Sequence, residues 1–140
     1  MSVIEHRKLS KDELDILINE AVESETKFLR DLHMDIYDFF KLNSLVQDGL
    51  VIDSRPIYIA ALIKDKNQRI NFWTVVNSNI DCAITLSKYV RRELKNWVNK
   101  FGVIYATMEK VEPKNMKWVK WLGFSEYKED DNYVTYRIGA

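Results

Sequence analysis

The chain has 140 residues, of which 46% are hydrophobic and 12% aromatic, with only four glycines and two prolines. That length suits one domain with a buried core, and the composition excludes the disordered and fibrous classes of protein. We therefore expect a single domain over residues 1–140.

The sequence carries no signal for a membrane, an export route or a metal. No stretch approaches the ~20 consecutive apolar residues of a membrane span, and the start "MSVIEHRKLS" lacks an apolar signal core. The one cysteine, Cys82, excludes an internal disulfide, and His6 and His33 have no ligand-spaced partners. We expect a soluble, intracellular protein without a metal site.

Net charge is zero, but the charge is unevenly distributed. Residues 82–123 contain nine lysines or arginines and three glutamates, a net charge of +6. Such an excess attracts phosphates of a nucleotide or nucleic acid. The alternative, a solvated helix face, is favoured over a nucleic-acid partner.

The N-terminal part predicts one short strand and two helices. The strand is "SVIEHR", and "LSKDEL" then forms a capping box between Ser10 and Glu13, with Leu9 stapled to Leu14. A helical apolar stripe follows. Its members are Leu14, Leu17, Ile18, Ala21, Val22, Phe28, Leu29 and Leu32. A second helix is predicted over residues 35–46, ended by "QDG".

Strands and helices alternate in the rest of the chain. The runs "LVIDSRPIYIAALI" and "RINFWTVV", separated by "KDKNQ", predict two or three antiparallel strands. A helix is predicted over residues 82–101, capped by Asp81 and stopped by Gly102. Its inward positions are Leu86, Val90, Leu94, Trp97, Val98 and Phe101.

The last third predicts a strand, a short helix and a hairpin. "VIYATM" is the strand, the helix begins at Pro113 and ends at Gly123, and the final hairpin turns at "EDDN". The resulting order predicts an α/β (α+β) fold with a mixed, mostly antiparallel central sheet flanked by helices.

This order, with Gly123-Phe124 closing a short helix after "VIYATM", resembles the GNAT acetyltransferase superfamily. It is especially similar to the short GNAT-like proteins of tailed bacteriophages, which include an internal virion or morphogenesis protein of podoviruses. The similar segments are "NFWTVVNSN", "LSKYVRRELKNWV", "VIYATMEKV" and "WVKWLGF", within residues 49–138.

The resemblance implies a site for acetyl-coenzyme A. In the superfamily a splayed strand offers backbone groups to the pantetheine, and a glycine-rich turn into the next helix holds the pyrophosphate. The implied cofactor-binding positions are Val75, Val76, Asn77, Ser78, Asn79 and Arg91. The equivalent turn, residues 77–83, has no glycine, and Asp81 adds a negative charge beside the phosphates.

The resemblance also implies catalytic positions. Many members place a tyrosine four residues before the glycine that ends the short helix, where this chain has Val119. An alkyl group cannot donate a proton, so the acid role is vacant unless Tyr105 or Tyr127 fills it. A general base would be Glu109 or Glu112.

Two features near these positions leave alternatives open. Trp118, Val119 and Leu122 share a helical face that anchors the short helix on the sheet, whereas Trp121 lies off it and either packs in the core or contacts a partner. Cys82 at a helix N-terminus is read as a small packed residue rather than a nucleophile.

Two functions remain in competition. The first is a phage protein that keeps the GNAT scaffold without its chemistry and binds a phage or host protein during virion assembly or genome delivery. It would act in the host cytoplasm or the virion, and a homo-oligomer is left open. The second is an acetyl-coenzyme A-dependent N-acetyltransferase that modifies an amine of a protein or small molecule.

Overall fold

The computed structural model describes residues 3–21, 35–77, 83–110 and 113–140, of which 83–85 and 113–115 are described by their backbone alone. The helices of the described part are α1 (Lys11–Glu20), α2 (Ile36–Asn43), α3 (Ala83–Phe101) and α4 (Pro113–Leu122). The strands are β1 (Ile4–Arg7), β2 (Ser44–Ile52), β3 (Arg55–Lys64), β4 (Ile70–Val76), β5 (Ile104–Glu109), β6 (Ser125–Glu129) and β7 (Tyr133–Ile138).

The seven strands of the described residues follow the order β1-β2-β3-β4-β5-β7-β6. Antiparallel pairs join β1 to β2, β2 to β3, β5 to β7 and β6 to β7, whereas β4 and β5 run parallel. The predicted α/β class, with a mixed and mostly antiparallel sheet, is confirmed.

The chain divides into two compact units. The first comprises residues 1–64 and 73–81, and the second residues 65–72 and 82–140. The single domain expected over residues 1–140 stays a prediction.

In the first unit, α1 begins with the capping box that the sequence predicts. The Glu13 amide donates to the Ser10 hydroxyl at 3.2 Å, and the Ser10 amide donates to the Glu13 carboxylate at 2.9 Å. The Arg7 guanidinium adds two further bonds to that carboxylate, at 2.7 and 2.8 Å. The two bonds between Ser10 and Glu13 satisfy amides at the helix start that have no intrahelical partner.

The apolar stripe predicted for α1 is confirmed only within the helix itself. Leu14, Leu17 and Ile18 are buried, but α1 ends at Glu20 and Ala21 is extended, with ψ of 162°. The remaining members of the stripe, Val22, Phe28, Leu29 and Leu32, lie outside the described residues.

The core of the first unit gathers α1, α2 and one face of the strands. The buried cluster consists of Leu9, Leu14, Leu17, Ile18, Phe40, Val51, Ile59, Ala61, Ile63 and Val75. Trp73 packs against its edge, with its ring centroid 5.3 Å from that of Phe39.

The second helix is shorter than the sequence predicts. We predicted helix over residues 35–46 with a stop at "QDG", whereas the chain switches to β2 at Ser44. Gly49 lies inside β2, where a Cβ would come within 2.6 Å of the Arg7 carbonyl oxygen and 2.7 Å of the Leu9 side chain. That glycine therefore permits a close approach of neighbouring chain and does not end a helix.

In the second unit, α3 and α4 lie side by side and run in the same direction. The Trp118 indole N–H donates to the Ser87 hydroxyl at 2.7 Å. One turn further along both helices, the Arg91 guanidinium lies 4.9 Å from the centre of the Trp121 ring. Trp118, which we expected to face the sheet, is half-buried and joins α4 to α3 instead.

Both helices of the second unit end at glycines with positive φ, as predicted. Gly102 has φ of +89° and donates its amide to Val98, and Gly123 has φ of +112°. After α4, the Gly123 amide donates to the Lys120 carbonyl and the Phe124 amide to that of Val119. This pair of bonds is a Schellman motif.

One sheet face of the second unit is buried. Ile104, Ala106, Val134 and Tyr136 alternate with more exposed neighbours on β5 and β7, and each is 3% exposed or less. The final hairpin turns after Glu129, where the Asp130 carboxylate accepts the amides of Asn132 and Tyr133. These two bonds lower the pKa of Asp130.

Candidate functional site

The predicted cofactor turn begins at the end of β4, in the first unit. Val75 is 2% exposed and belongs to the core cluster, whereas Val76 is half-buried. Asn77 follows them, 2% exposed, in an isolated bridge with Ala21. Ser78 and Asn79, the next two predicted positions, lie outside the described residues.

The donors of Asn77 are bonded inside the first unit. Its backbone amide donates to the Ile57 carbonyl at 2.8 Å. Its side-chain nitrogen donates to the Glu20 carboxylate at 2.6 Å and to the Pro56 carbonyl at 3.2 Å. A carboxamide has two N–H groups, so these contacts use both of them. These bonds give Asn77 a structural role in the first unit, and its role as a cofactor-binding position stays a prediction.

Two predicted catalytic residues, Tyr105 and Glu109, lie on β5 in the second unit. Both are half-buried, and their even spacing puts them on the same face of the strand. Four residues of strand separate them by roughly 13 Å along the chain. Glu112, the other base candidate, lies outside the described residues.

Tyr105 belongs to an aromatic and cationic surface that we call the tyrosine face. Its ring meets that of Tyr127 edge-on, at a centroid distance of 5.6 Å. Arg69 lies 5.1 Å from the centre of the Tyr105 ring, and Arg137 lies 4.4 Å from that of Tyr127. With Tyr133, these residues form the tyrosine face, in which Tyr127 and Tyr133 are 39% and 44% exposed.

The position that would carry a tyrosine acid by resemblance is apolar and enclosed. Val119 is 1% exposed, and Leu122, on the same side of α4, is 2% exposed. Val119 therefore packs in the core of the second unit.

A groove in the second unit brings together residues from α3, α4 and the end of β7. Its volume is about 680 Å³. Four cations line one side: Lys88, Arg91, Arg92 and Lys95. The remaining lining includes Val98, Asn99, Trp121, Leu122, Ile138 and Gly139. We call this surface the basic groove.

The cations of the basic groove are exposed, and none of the salt bridges among the described residues involves them. Two of them stack on aromatic rings, Arg91 on Trp121 and Arg92 on Tyr89, at 4.9 and 5.7 Å. Trp121 is 44% exposed, which excludes the core-packing alternative for this residue. Its contact with a partner stays a prediction.

Sequence reasoning identified part of this groove and missed the rest. The charge excess, Arg91 and Trp121 were all recognisable from residue type. The contribution of Gly139 was not, because it depends on β7 ending against α3. A Cβ at Gly139 would lie 2.8 Å from a Val98 methyl carbon, so glycine is needed for that approach.

Within the described residues, no group of three or more His, Cys, Asp or Glu side chains could hold a metal ion. None of the helices described is long and apolar enough to cross a membrane.

Solved structures of GNAT-family acetyltransferases share this fold. One from Bacillus anthracis covers 96% of this chain and 93% of its own length, at 12% identity and a TM-score of 0.71. The PaiA N-acetyltransferase of Thermoplasma acidophilum, in complex with coenzyme A, covers 99% of both chains at 16% identity, with a TM-score of 0.70. A mutant SpeG spermidine N-acetyltransferase of Vibrio cholerae covers 96% and 92% at 13% identity, with a TM-score of 0.62.

The comparisons define the fold and no more. No protein-family model and no curated protein matches the chain. At these identities the structural likeness shows that the chain has the GNAT fold. The narrower similarity to phage proteins stays a prediction.

Proposed function

We propose that this GNAT-fold protein acts by binding a partner protein and not by transferring acetyl groups. The observation that carries the proposal is the bonding of Asn77, whose backbone and side-chain donors all go to groups of the first unit. A pyrophosphate cradle needs backbone amides that point at the ligand. A turn whose first residue has all its N–H donors bonded within the first unit does not offer them to a pyrophosphate.

The apolar environment of Val119 supports the same proposal. A general acid must reach the reacting atoms and carry an exchangeable proton. Val119 has neither property, because its side chain is an alkyl group in the core, 1% exposed. The described residues therefore do not fit the cofactor chemistry that the resemblance implies at this position.

The tyrosine face is the surface that we assign to the partner protein. Tyrosine and arginine are enriched at protein interfaces, where an apolar ring with a polar edge contributes large contact area. Of the two exposed rings, Tyr127 stands beside Arg137, and Tyr133 lies four residues before Arg137 on the same face of β7, opposite the buried Val134 and Tyr136. The resemblance to phage GNAT-like proteins favours a phage or host protein as the partner.

Titration with acetyl-coenzyme A tests the absence of cofactor binding. A ligand at ~100 times its dissociation constant adds roughly 2.7 kcal/mol to stability, which a thermal-shift assay detects. We expect no shift in melting temperature at millimolar acetyl-coenzyme A. Saturable binding at micromolar concentration would instead favour an enzyme.

The basic groove requires a control in that experiment, since exposed cations attract any phosphate. The double variant Arg92→Gln and Lys95→Gln removes two of its charges. A shift that disappears in this variant comes from the groove. A shift that stays the same size in this variant comes from a cofactor site elsewhere and contradicts the proposal.

An N-acetyltransferase is the second candidate. It is favoured by the likeness to a coenzyme A complex over 99% of both chains. In that function Glu109 or Glu112 would accept a proton from the amine of the substrate. Glu109→Gln or Glu112→Gln should then lower turnover by more than about tenfold.

Glu129 provides the matched control for the glutamate variants. It is an exposed residue of β6, and its carboxylate lies 3.1 Å from the Lys110 ammonium group. Glu129→Gln should leave turnover unchanged. Equal turnover in all three variants would remove both base assignments.

A further inference from the structure

The cations of the basic groove form a regular line along α3. Lys88, Arg91, Arg92 and Lys95 follow the spacing of three, four and seven residues that marks one side of a helix. The line is about 10 Å long, since each helical residue rises 1.5 Å. It carries four positive charges, and no acidic residue lines the groove among the residues that the structure describes. This surface is therefore complementary to a chain of negative charges.

An exposed indole stands beside this line. Trp121 is 44% exposed, and the Arg91 guanidinium lies 4.9 Å from its ring centre. The helix contacts of Ser87 with Trp118 and of Arg91 with Trp121 keep the two helices in register. The aromatic ring is thus held at a defined height along the row of cations.

The floor of the groove is apolar and contains the end of β7. Val98, Leu122 and Ile138 are buried or half-buried there, and Gly139 lies against Val98. Lys88 is five residues beyond the start of α3, and the groove continues toward the end of that helix. Of the described positions that the resemblance assigns to the cofactor, Arg91 lines this groove, whereas Val75, Val76 and Asn77 do not.

The residue types that line the basic groove distinguish between a protein and a nucleic acid as its ligand. Protein interfaces are depleted in lysine, whereas interfaces with nucleic acid are much more positively charged. An exposed aromatic ring beside cations is the combination that binds single strands, because a free base can stack on the ring. A duplex keeps its bases stacked on one another and offers none to Trp121.

We propose that the basic groove binds single-stranded nucleic acid. Phosphates contact Lys88, Arg92 and Lys95, and a base stacks on the pair formed by Arg91 and Trp121. The inference goes beyond the proposed function and holds whether or not the chain transfers acetyl groups.

The test uses the full chain and a fluorescein-labelled fifteen-nucleotide oligothymidylate, followed by fluorescence anisotropy. With three phosphate contacts, the logarithm of the binding constant should fall with the logarithm of salt concentration at a slope of about −2. Affinity should therefore weaken about twenty-fold for a fourfold rise in salt.

Trp121→Ala should weaken binding by about 5- to 150-fold, the range of one lost base stack. Leu42→Ala is the control, since that apolar residue is 74% exposed but lies outside the groove. It should leave affinity unchanged. Equal losses in the two variants would overturn the stacking role of Trp121.

Arg92→Gln and Lys95→Gln test the phosphate contacts independently of the indole. Each should reduce the magnitude of the salt slope by about 0.7. Lys128→Gln, a change at an exposed lysine of β6, is the control and should leave the slope unaltered. Because these three side chains are exposed, the variants should fold like the wild type.

Three results would overturn the proposal. One is the absence of binding at low salt and 100 µM protein. The second is tighter binding to a duplex of the same length. The third is equal competition by a polyglutamate peptide, which would mean that the groove attracts any polyanion without recognising bases.

Discussion

Glu13 combines a helix cap with an ion pair. Its carboxylate accepts the Ser10 amide and both arms of the Arg7 guanidinium, and these bonds lower its pKa from 4.5 to about 2. The hydrogen bonds from Arg7 are the largest cause. Its side chain is only 16% exposed, so solvent screens the pair less than it screens a surface salt bridge.

Glu13→Gln should lower the free energy of unfolding by about 1–2 kcal/mol near neutral pH. The carboxylate has a lower pKa in the folded chain, so its stabilisation is complete above pH 4.5 and is lost as the pH falls toward about 2. The difference between variant and wild type should therefore shrink over that range. Urea unfolding at a series of pH values measures it.

Glu5→Gln is the control for that experiment. Glu5 accepts a bond from the same guanidinium at 2.8 Å but caps no helix, and its side chain is 44% exposed. Glu5→Gln should lower the free energy of unfolding by less than about 0.5 kcal/mol. If the two variants lose equal stability, the cap contributes nothing beyond a surface ion pair.

The capping box illustrates what short-range sequence patterns predict well. Ser10 and Glu13 are three residues apart, and their reciprocal bonds require only local geometry. The bidentate contact of Arg7 was not predicted, because it depends on how the chain turns between β1 and α1. The bonds of Asn77 were not predicted either, since its partners on β3 lie about twenty residues away in sequence.

Glycines end the helices of the second unit, as predicted, but the helix end predicted at Gly49 in the first unit was wrong. Gly102 and Gly123 adopt positive φ directly after α3 and α4. Gly49 follows "QD" in an equally stop-like context but lies inside β2, where it is paired with Arg7 of β1. In both cases a glycine follows a predicted helix. Only the neighbouring strand decides whether that glycine ends the helix or allows two chain segments to approach closely.

Gly123→Ala should destabilise the protein more than Gly102→Ala. Both positions have positive φ, which costs a residue with a Cβ roughly 1–2 kcal/mol. A Cβ at Gly123 would also lie 3.1 Å from a methyl carbon of Ile138, whereas nothing lies within 4 Å at Gly102. Chemical unfolding of both variants compares the two costs.

Gly102→Ala thus serves as the control for backbone conformation alone. The extra loss in Gly123→Ala measures the contact with Ile138. Equal losses would mean that Ile138 moves aside without cost, and that the Schellman motif alone explains the glycine.

The order of helices and strands could be predicted from the sequence, because each change between helical and strand periodicity is local. The tyrosine face and the basic groove could not. The tyrosine face needs Arg69, Tyr105, Tyr127 and Arg137 to meet on one side of the sheet. The basic groove likewise needs the last residues of β7 beside α3. Register between distant strands creates both surfaces, and no local motif records it.

Two core substitutions test whether the whole chain unfolds as one domain. Leu17 in the first unit and Leu94 in the second are both 0% exposed, so Leu17→Ala and Leu94→Ala should each cost about 2–5 kcal/mol. In a single domain, either substitution lowers the free energy of the global unfolding through which the most buried amides exchange. Hydrogen exchange should accelerate in β3 and β5 to the same degree in both variants.

The exposed Ile16 of α1 supplies the control, because its side chain is 45% exposed and Ile16→Ala should change exchange little in either strand. Comparison of the two core variants then decides the question. If Leu94→Ala accelerates exchange in β5 alone, while Leu17→Ala affects only β3, the units unfold independently. The expectation of one domain over residues 1–140 would then be wrong, whereas equal acceleration would establish that the sheet strands of both units share one cooperative transition.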